Sequence, residues 1–202
     1  FYFKHDSPHE VVAFTVDRDY LKNDSFEDLP LVAFEDVVEK YPPSEFRMFL
    51  PISFKQMSHL RRKKFEAAKE MGYTCVSYVS SKATTWPGLD IGENCFIFED
   101  NTIQPFTKIG DNCILWSGNH IGHHSTIGDH NFISSHVVIS GHCTIGNNCF
   151  LGVNSTIHNN IEVASGTLLA AGAIINKDTQ KDSVHLPARS TILGKKSFEL
   201  NI

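Results

Sequence analysis

Between residues 79 and 175 an aliphatic side chain recurs at every sixth position, and this one regularity leaves the chain few folds to adopt. The series includes Val79, Ile91, Ile97, Ile103, Ile109 and Leu115 and continues through Ile121, Ile139 and Ile157 to Ile175; of its 17 positions only Thr85 is not aliphatic. Six is an even number, so these residues share one side of an extended strand, whereas six helical steps of about 100° would scatter them around a cylinder. The segment is therefore β. A slower beat overlies it, in which Ile91-Gly92-Glu93-Asn94, Ile109-Gly110-Asp111-Asn112, Ile127-Gly128-Asp129-His130 and Ile145-Gly146-Asn147-Asn148 recur every 18 residues. Three hexads make one coil. Short strands joined by tight Gly, Asp and Asn turns shape such a coil into a triangular prism with the aliphatic residues stacked up its shaft. Successive coils then pair as parallel strands about 4.8 Å apart.

The fourth residue after each aliphatic is small or polar, and Cys95, Cys113, Cys143 and Cys149 occupy it beside Asn101, Ser125, Ser155 and Thr167. These cysteines read as packing residues of the shaft. Five cysteines, an odd number without a CxxC pair, suggest neither a disulfide framework nor a thiolate zinc site. With 18 Lys+Arg against 23 Asp+Glu the net charge is −5, which removes the broad basic footprint of a nucleic-acid binder. No run approaches the roughly 18 apolar residues of a membrane span, and Phe1-Tyr2-Phe3-Lys4-His5-Asp6 lacks the layout of a secretory signal. A soluble, cytoplasmic protein is expected. The chain opens on Phe rather than Met, and native residues before Phe1 are expected.

Ahead of the prism the pattern changes. Residues 10–16 read as a buried strand ending at Asp17, Leu31-Val32 as a second, and 46–52 and 74–78 as a third and fourth. Residues 34–41 read as a helix stopped by Pro42-Pro43, and 56–71 as a helix closed by Gly72. Strands alternating with helices imply a small open α/β unit. The expected organisation is this unit over residues 1–80, the prism over 81–180 with a linker around 80–88, and a polar tail over 181–202. Arg61-Arg62-Lys63-Lys64 reads as the solvated face of the second helix, with phosphate contact as the alternative.

Seven of the 11 histidines fall between residues 120 and 158. His124, His130, His136 and His142 share one hexad slot and visit all three faces in turn, as turn-proximal polar residues do; only His124 and His142, 18 apart, stack directly. His123 is singled out by what lies 18 residues on, since position 141 is Gly. A slot without a side chain beneath an imidazole sets a general base beside a backbone N–H able to polarise a carbonyl. Prism-shaped carbonic anhydrases build zinc sites from histidines five apart, and no pair in this prism has that spacing, so no metal is expected.

The hexads, with Gly122-His123-His124-Ser125-Thr126-Ile127-Gly128-Asp129 and the run from Gly141-His142-Cys143 to Gly152, resemble the left-handed β-helix acyltransferases, and more narrowly the bacterial sugar acetyltransferases of the PglD and NeuD type. The resemblance covers most of the chain. That family carries a small N-terminal Rossmann-like unit and a C-terminal Pro-Ala-Lys/Arg motif, here Pro187-Ala188-Arg189. What it implies is a mainly β protein, a left-handed parallel β-helix that assembles as a homotrimer and acetylates a nucleotide-linked sugar with acetyl-CoA, without metal. By the same resemblance His123 is the catalytic base, with His124 beside it, and the Gly141 N–H contacts the thioester oxygen. Val153 and Ala171 line the pantetheine groove, while Lys177 and Arg189 are candidates for the CoA phosphates. The family usually places an acidic residue directly after the catalytic histidine; here it is His124, and a neutral imidazole does not raise basicity as an anion would. The family's Gly-rich nucleotide turn has no counterpart in this chain, which leaves Asp17 either holding the ribose or base, or simply ending a strand. An acyltransferase for another small metabolite, a non-catalytic scaffold and a metal-dependent lyase are the other classes such a prism serves.

Overall fold

The aliphatic ladder does what its period requires. In the computed structural model, which describes residues 1–200, Ile97, Ile103, Leu115, Ile121, Ile133, Ile139, Leu151 and Ile157 are wholly buried in one continuous core. Two-residue strands stack into three parallel sheets, the faces of a triangular prism. The first face runs in seven strands from Tyr78–Val79 to Val184–His185; the second contains Thr102–Ile103, His120–Ile121, Val138–Ile139, Thr156–Ile157 and Ile174–Ile175; the third runs from Asp90–Ile91 to Glu162–Val163. Register follows the 18-residue beat, with Ile121 paired to Ile103 and Ile139, and Ile127 to Ile109 and Ile145.

Every corner turns through a residue with positive φ. Asn94, Asn112, Asn148, Asn154 and Asn160 lie there, and so do His124, His130, His136 and His142, with φ between 56 and 61°. An ordinary L-residue pays about 1–2 kcal/mol for this conformation, and Asn, Asp and His tolerate it best after Gly. The recurring histidine slot thus has a local backbone cause. The Gly-Asp beat has one too: a Cβ on Gly110 would fall 2.3 Å from Asp129 Oδ1, because that carboxylate reaches up one coil to accept the Asp111 N–H at 2.8 Å. All five cysteines are free and buried. Cys113 donates to the Gly128 carbonyl at 3.0 Å, and burial pushes the Cys149 thiol up to about 11, as suits packing groups rather than reactive ones.

The N-terminal unit is smaller than the sequence pattern suggests. It contains α1 (Tyr2–Asp6), β1 (Phe14–Val16), β2 (Ser25–Phe26), β3 (Leu29–Ala33), α2 (Val37–Lys40) and α3 (His59–Glu70). Its sheet has the order β1-β3-β2, with β1 parallel and β2 antiparallel to β3. The strands expected over 46–52 and 74–78 shrink to a single bridge, Met48 to Cys75. The chain has no length left to extend it, since Tyr78 is already bonded into the first prism face through Cys95 O at 2.8 Å. The second helix starts at His59 rather than at residue 56, because Gln56, Met57 and Ser58 all have positive φ. No helix among the described residues is long and apolar enough to cross a membrane.

Two larger contacts join the unit to the prism, beside others such as the Leu50 N–H donating to Asn94 Oδ1 at 2.8 Å and the Lys69–Glu93 ion pair. Tyr2, Phe3 and Phe49 pack on the outward-facing Tyr78, Phe96, Ile114 and Phe132 of the first face, and Asp6 accepts from Tyr78 Oη at 2.6 Å and Ser81 N at 2.9 Å. Those hydrogen bonds hold the Asp6 carboxyl down at about 2. The second contact corrects the reading of the basic run as a solvated face, for Arg61 is fully buried. Its guanidinium donates to the carbonyls of Ile52 and Ser53 on one side and of Asn112, His130 and Asn131 on the other, at 3.0–3.2 Å. Burial lowers its pKa to about 10, so it remains protonated at neutral pH. Arg62 pairs with Glu66 at the surface.

Candidate active site

The corner between the second and third faces gathers the chemistry. It is a column of turns one coil apart, in which Pro105-Phe106, His123-His124, Gly141-His142, Asn159-Asn160 and Lys177 succeed one another every 18 residues. His123 and His124 are both exposed, and Gly141 is buried beneath them. A Cβ on Gly141 would lie 2.9 Å from both Cε1 and Nε2 of His123. The slot foreseen for a reacting group is therefore filled by the imidazole edge itself, whose Cε1 and Nε2 lie against the glycine.

The other ring nitrogen is engaged. His123 Nδ1 and His124 Nδ1 are 3.1 Å apart, within hydrogen-bond reach. Alternation along a strand would send neighbouring side chains to opposite sides, but His124 stands in a left-handed turn, and the turn brings both rings to one place. His124 also stacks on His142, with centroids 4.9 Å apart and planes 16° from parallel. With Nδ1–H of His123 donating to His124, the Nε2 lone pair is left as the basic site. The Gly141 N–H is not free, since it donates to Asn159 Oδ1 at 2.9 Å; a carbonyl oxygen arriving there has to displace that amide.

Other candidate residues lie apart. Lys177 shares the His123 corner, three coils further on, and is exposed. Val153 and Ala171, both exposed, belong to the corner between the first and second faces, one whole face away within the chain. Arg189 is exposed beyond the last strand. Asp17, at the end of β1, is ion-paired with Lys64 of α3, whose ammonium also sits 4.4 Å over the Phe34 ring. His130 is structural: its Nδ1 lies 2.9 Å from Asn112 Nδ2 beside the Arg61 cradle, and burial lowers its pKa.

Three residues at the corner escape a reading by histidine count. Gln104 Oε1 accepts the His123 N–H at 2.9 Å, and Asn159 accepts from Gly141. Phe106 is 74% exposed and has φ 65°, a conformation unusual for a bulky residue. Its ring lies 4.6 Å from that of His124. The signal was present in the register, for Phe106 alone puts an aromatic hydrocarbon in a slot otherwise given to Asn, Asp, His or Gly.

Residues 88–123 and 106–141 match the sequence model of the bacterial transferase hexapeptide repeat (six repeats). The chain has no match among curated proteins. Solved structures resemble it over nearly its whole length. PerB from Caulobacter crescentus, in complex with CoA and GDP-perosamine, is 21% identical and covers 89% of this chain and 84% of its own, with a TM-score of 0.76. The acetyltransferase domain of PglB from Neisseria gonorrhoeae, in complex with acetyl coenzyme A, is 21% identical and covers 89% of this chain and 85% of that one, with a TM-score of 0.76. WeeI from Acinetobacter baumannii is 17% identical, covers 85% and 81%, and has a TM-score of 0.67. At these identities the shared property is the fold: a left-handed parallel β-helix of hexapeptide repeats behind a small α/β unit.

Proposed function

We propose that the chain is an acetyl-CoA-dependent acetyltransferase acting on an amino or hydroxyl group of a nucleotide-linked sugar, with His123 as general base. The observation that carries this reading is the imidazole of His123 lying on Gly141 with its Nδ1 held by His124 and its Nε2 free. The fold supports it as well, since similar structures hold CoA together with GDP-perosamine, or acetyl coenzyme A. In the reaction, Nε2 takes the proton of the acceptor as its nitrogen or oxygen attacks the thioester carbonyl. The new N–C or O–C bond forms, the C–S bond breaks, and the imidazolium returns the proton to the departing CoA thiolate. His124 accepts the Nδ1–H of His123 throughout, a neutral partner for the charge that forms.

A site divided between two corners of one prism is completed by assembly. We infer a homotrimer in which the corner bearing Val153 and Ala171 on one copy faces the His123 corner of the next, with acetyl-CoA in the groove between. The outward residues of the second face support this, Val138 and Ile174 being 37% and 66% exposed. Lys177 and Arg189 are the cations proposed for the CoA phosphates. Asp17 is proposed for the nucleotide side, and it must exchange Lys64 for that role. The reaction belongs to the cytoplasm, where both substrates are made. Light scattering is expected to return about three times 22.6 kDa; a stable monomer removes the shared groove.

Acetyl-CoA is expected to raise the melting temperature without added metal, as is one nucleoside diphosphate from a panel of UDP, dTDP and GDP, since a ligand that binds only the folded state stabilises it. No shift with any of them overturns the assignment. Gly141→Ala is expected to lower turnover by about 10- to 100-fold, because its Cβ pushes the His123 ring off its seat and small misplacements at a reacting group cost that much. The fold is unaffected, since the atoms it meets are the free end of an exposed side chain. Wild-type turnover in Gly141→Ala, measured by thiol release, rejects the proposed seat of the base.

A further inference from the structure

The three imidazoles at the catalytic corner form a second kind of site. Among the described residues, the ring nitrogens of His123, His124 and His142 are the ones that meet as a possible metal-ligand set, each offering an atom within 4.8 Å of the others. The backbone fixes them. His142 N–H donates to His123 O at 2.9 Å, His124 N–H donates to Pro105 O at 3.2 Å, and both turn residues hold left-handed φ of 56 and 58°. All three rings are exposed, so an ion can enter without opening the fold.

We propose that His123, His124 and His142 bind a zinc ion, and that zinc occupancy switches the general base off. Zinc at about 2.0–2.1 Å from each nitrogen in a tetrahedron holds its ligands about 3.3 Å apart. The His123 and His124 Nδ1 atoms are already 3.1 Å apart, and rotation of the His142 ring supplies the third ligand, leaving the fourth position to water. Imidazole ligands of this kind suit zinc, copper and nickel, and exclude magnesium and calcium.

The switch lies in the tautomer. Acting as a base, His123 carries its proton on Nδ1 and keeps the Nε2 lone pair. Zinc takes the Nδ1 lone pair, so the one ring proton has to move to Nε2, where it turns the acceptor into a donor. No net proton is released, and the imidazole facing the substrate can no longer accept one. This consequence rests on the function proposed above; the zinc site itself does not.

Binding is read first without any substrate. Zinc titrated into the full chain by calorimetry is expected to bind at one site per chain, and cobalt substituted for it to give the visible absorption of tetrahedral coordination. His142→Ala is expected to weaken zinc at least about tenfold and abolish the cobalt bands. His136→Ala, which removes a histidine from the same turn slot on another corner, is expected to leave both within about twofold. Equal zinc affinity in wild type, His142→Ala and His136→Ala overturns the site, as does its absence from all three. In the thiol-release assay, zinc is expected to inhibit wild type reversibly by chelator, and the inhibition, read against each variant's own zinc-free rate, is expected to weaken at least about tenfold in His142→Ala. A chain that binds zinc through His142 yet transfers no acetyl group fails the proposed function and keeps the site; one that transfers acetyl normally with zinc bound refutes the switch.

Discussion

Replacing His123 with alanine is expected to lower turnover by about 10²- to 10⁴-fold, the usual cost of a positioned general base, while acetyl-CoA affinity stays within about twofold. In the proposed reaction the ring meets the acceptor and not the pantetheine arm, so its loss is expected to fall on the chemical step and not on cofactor binding. His124→Ala is expected to cost about tenfold. It removes the Nδ1 partner 3.1 Å away, and with it the preference for the tautomer that leaves Nε2 basic, but not the base itself. The two variants separate the roles in one experiment, with thiol release for turnover and calorimetry for affinity. If His124→Ala is dead and His123→Ala turns over near the normal rate, the assignment is reversed.

Arg61→Ala is expected to destabilise the chain by about 3–5 kcal/mol, because several buried carbonyls lose their donor at once and a hydrogen bond to a charged group is worth about 1.5–3 kcal/mol. The side chain is fully buried and fills a space between two bodies. Its removal strands the carbonyls of Ile52, Ser53, Asn112 and His130, while Asn131 O keeps the Ile114 N–H, and a buried acceptor left without a donor costs about 1–3 kcal/mol, less where water enters. Because the prism has its own core, the loss is expected to fall on the attachment of the N-terminal unit. Calorimetry should then resolve an early transition ahead of the prism's, and limited proteolysis should cut before residue 78 first. Arg61→Lys is expected to recover less than half, since an ammonium has three donors and no planar fork to reach both sides. A change below about 0.5 kcal/mol in Arg61→Ala would show that the docking of α3 rests on its other contacts, the Lys69–Glu93 pair among them.

The two predictions divide along the line between what periodicity encodes and what it does not. In a solenoid each residue meets its equivalent one coil away, so a contact in space is a constant separation in sequence. Spacing alone thus led to the prism, to the shaft cysteines, to the stacking of His124 on His142 and to His123 above Gly141. It did not settle ring orientation, because that depends on φ at the turn: the left-handed His124 brings its Nδ1 to His123, and the ring of His123 occupies the slot that the glycine leaves. The docking of the N-terminal unit was also beyond it. Arg61 reaches Asn112, His130 and Asn131 across separations of 51, 69 and 70 residues, which belong to no period, and a basic run on an amphipathic helix reads as solvated until a second body covers one of its members. One clue to that docking was in the register, in Tyr78, Phe96, Ile114, Phe132 and Phe150, which put an apolar stripe on the outside of the first face where the third has Asp90, Lys108 and Glu162. The sequence determined the shaft, whose contacts repeat; only the tertiary structure decided how the histidine rings are turned and which arginine is buried, because the first depends on the φ of a turn and the second on two segments meeting once.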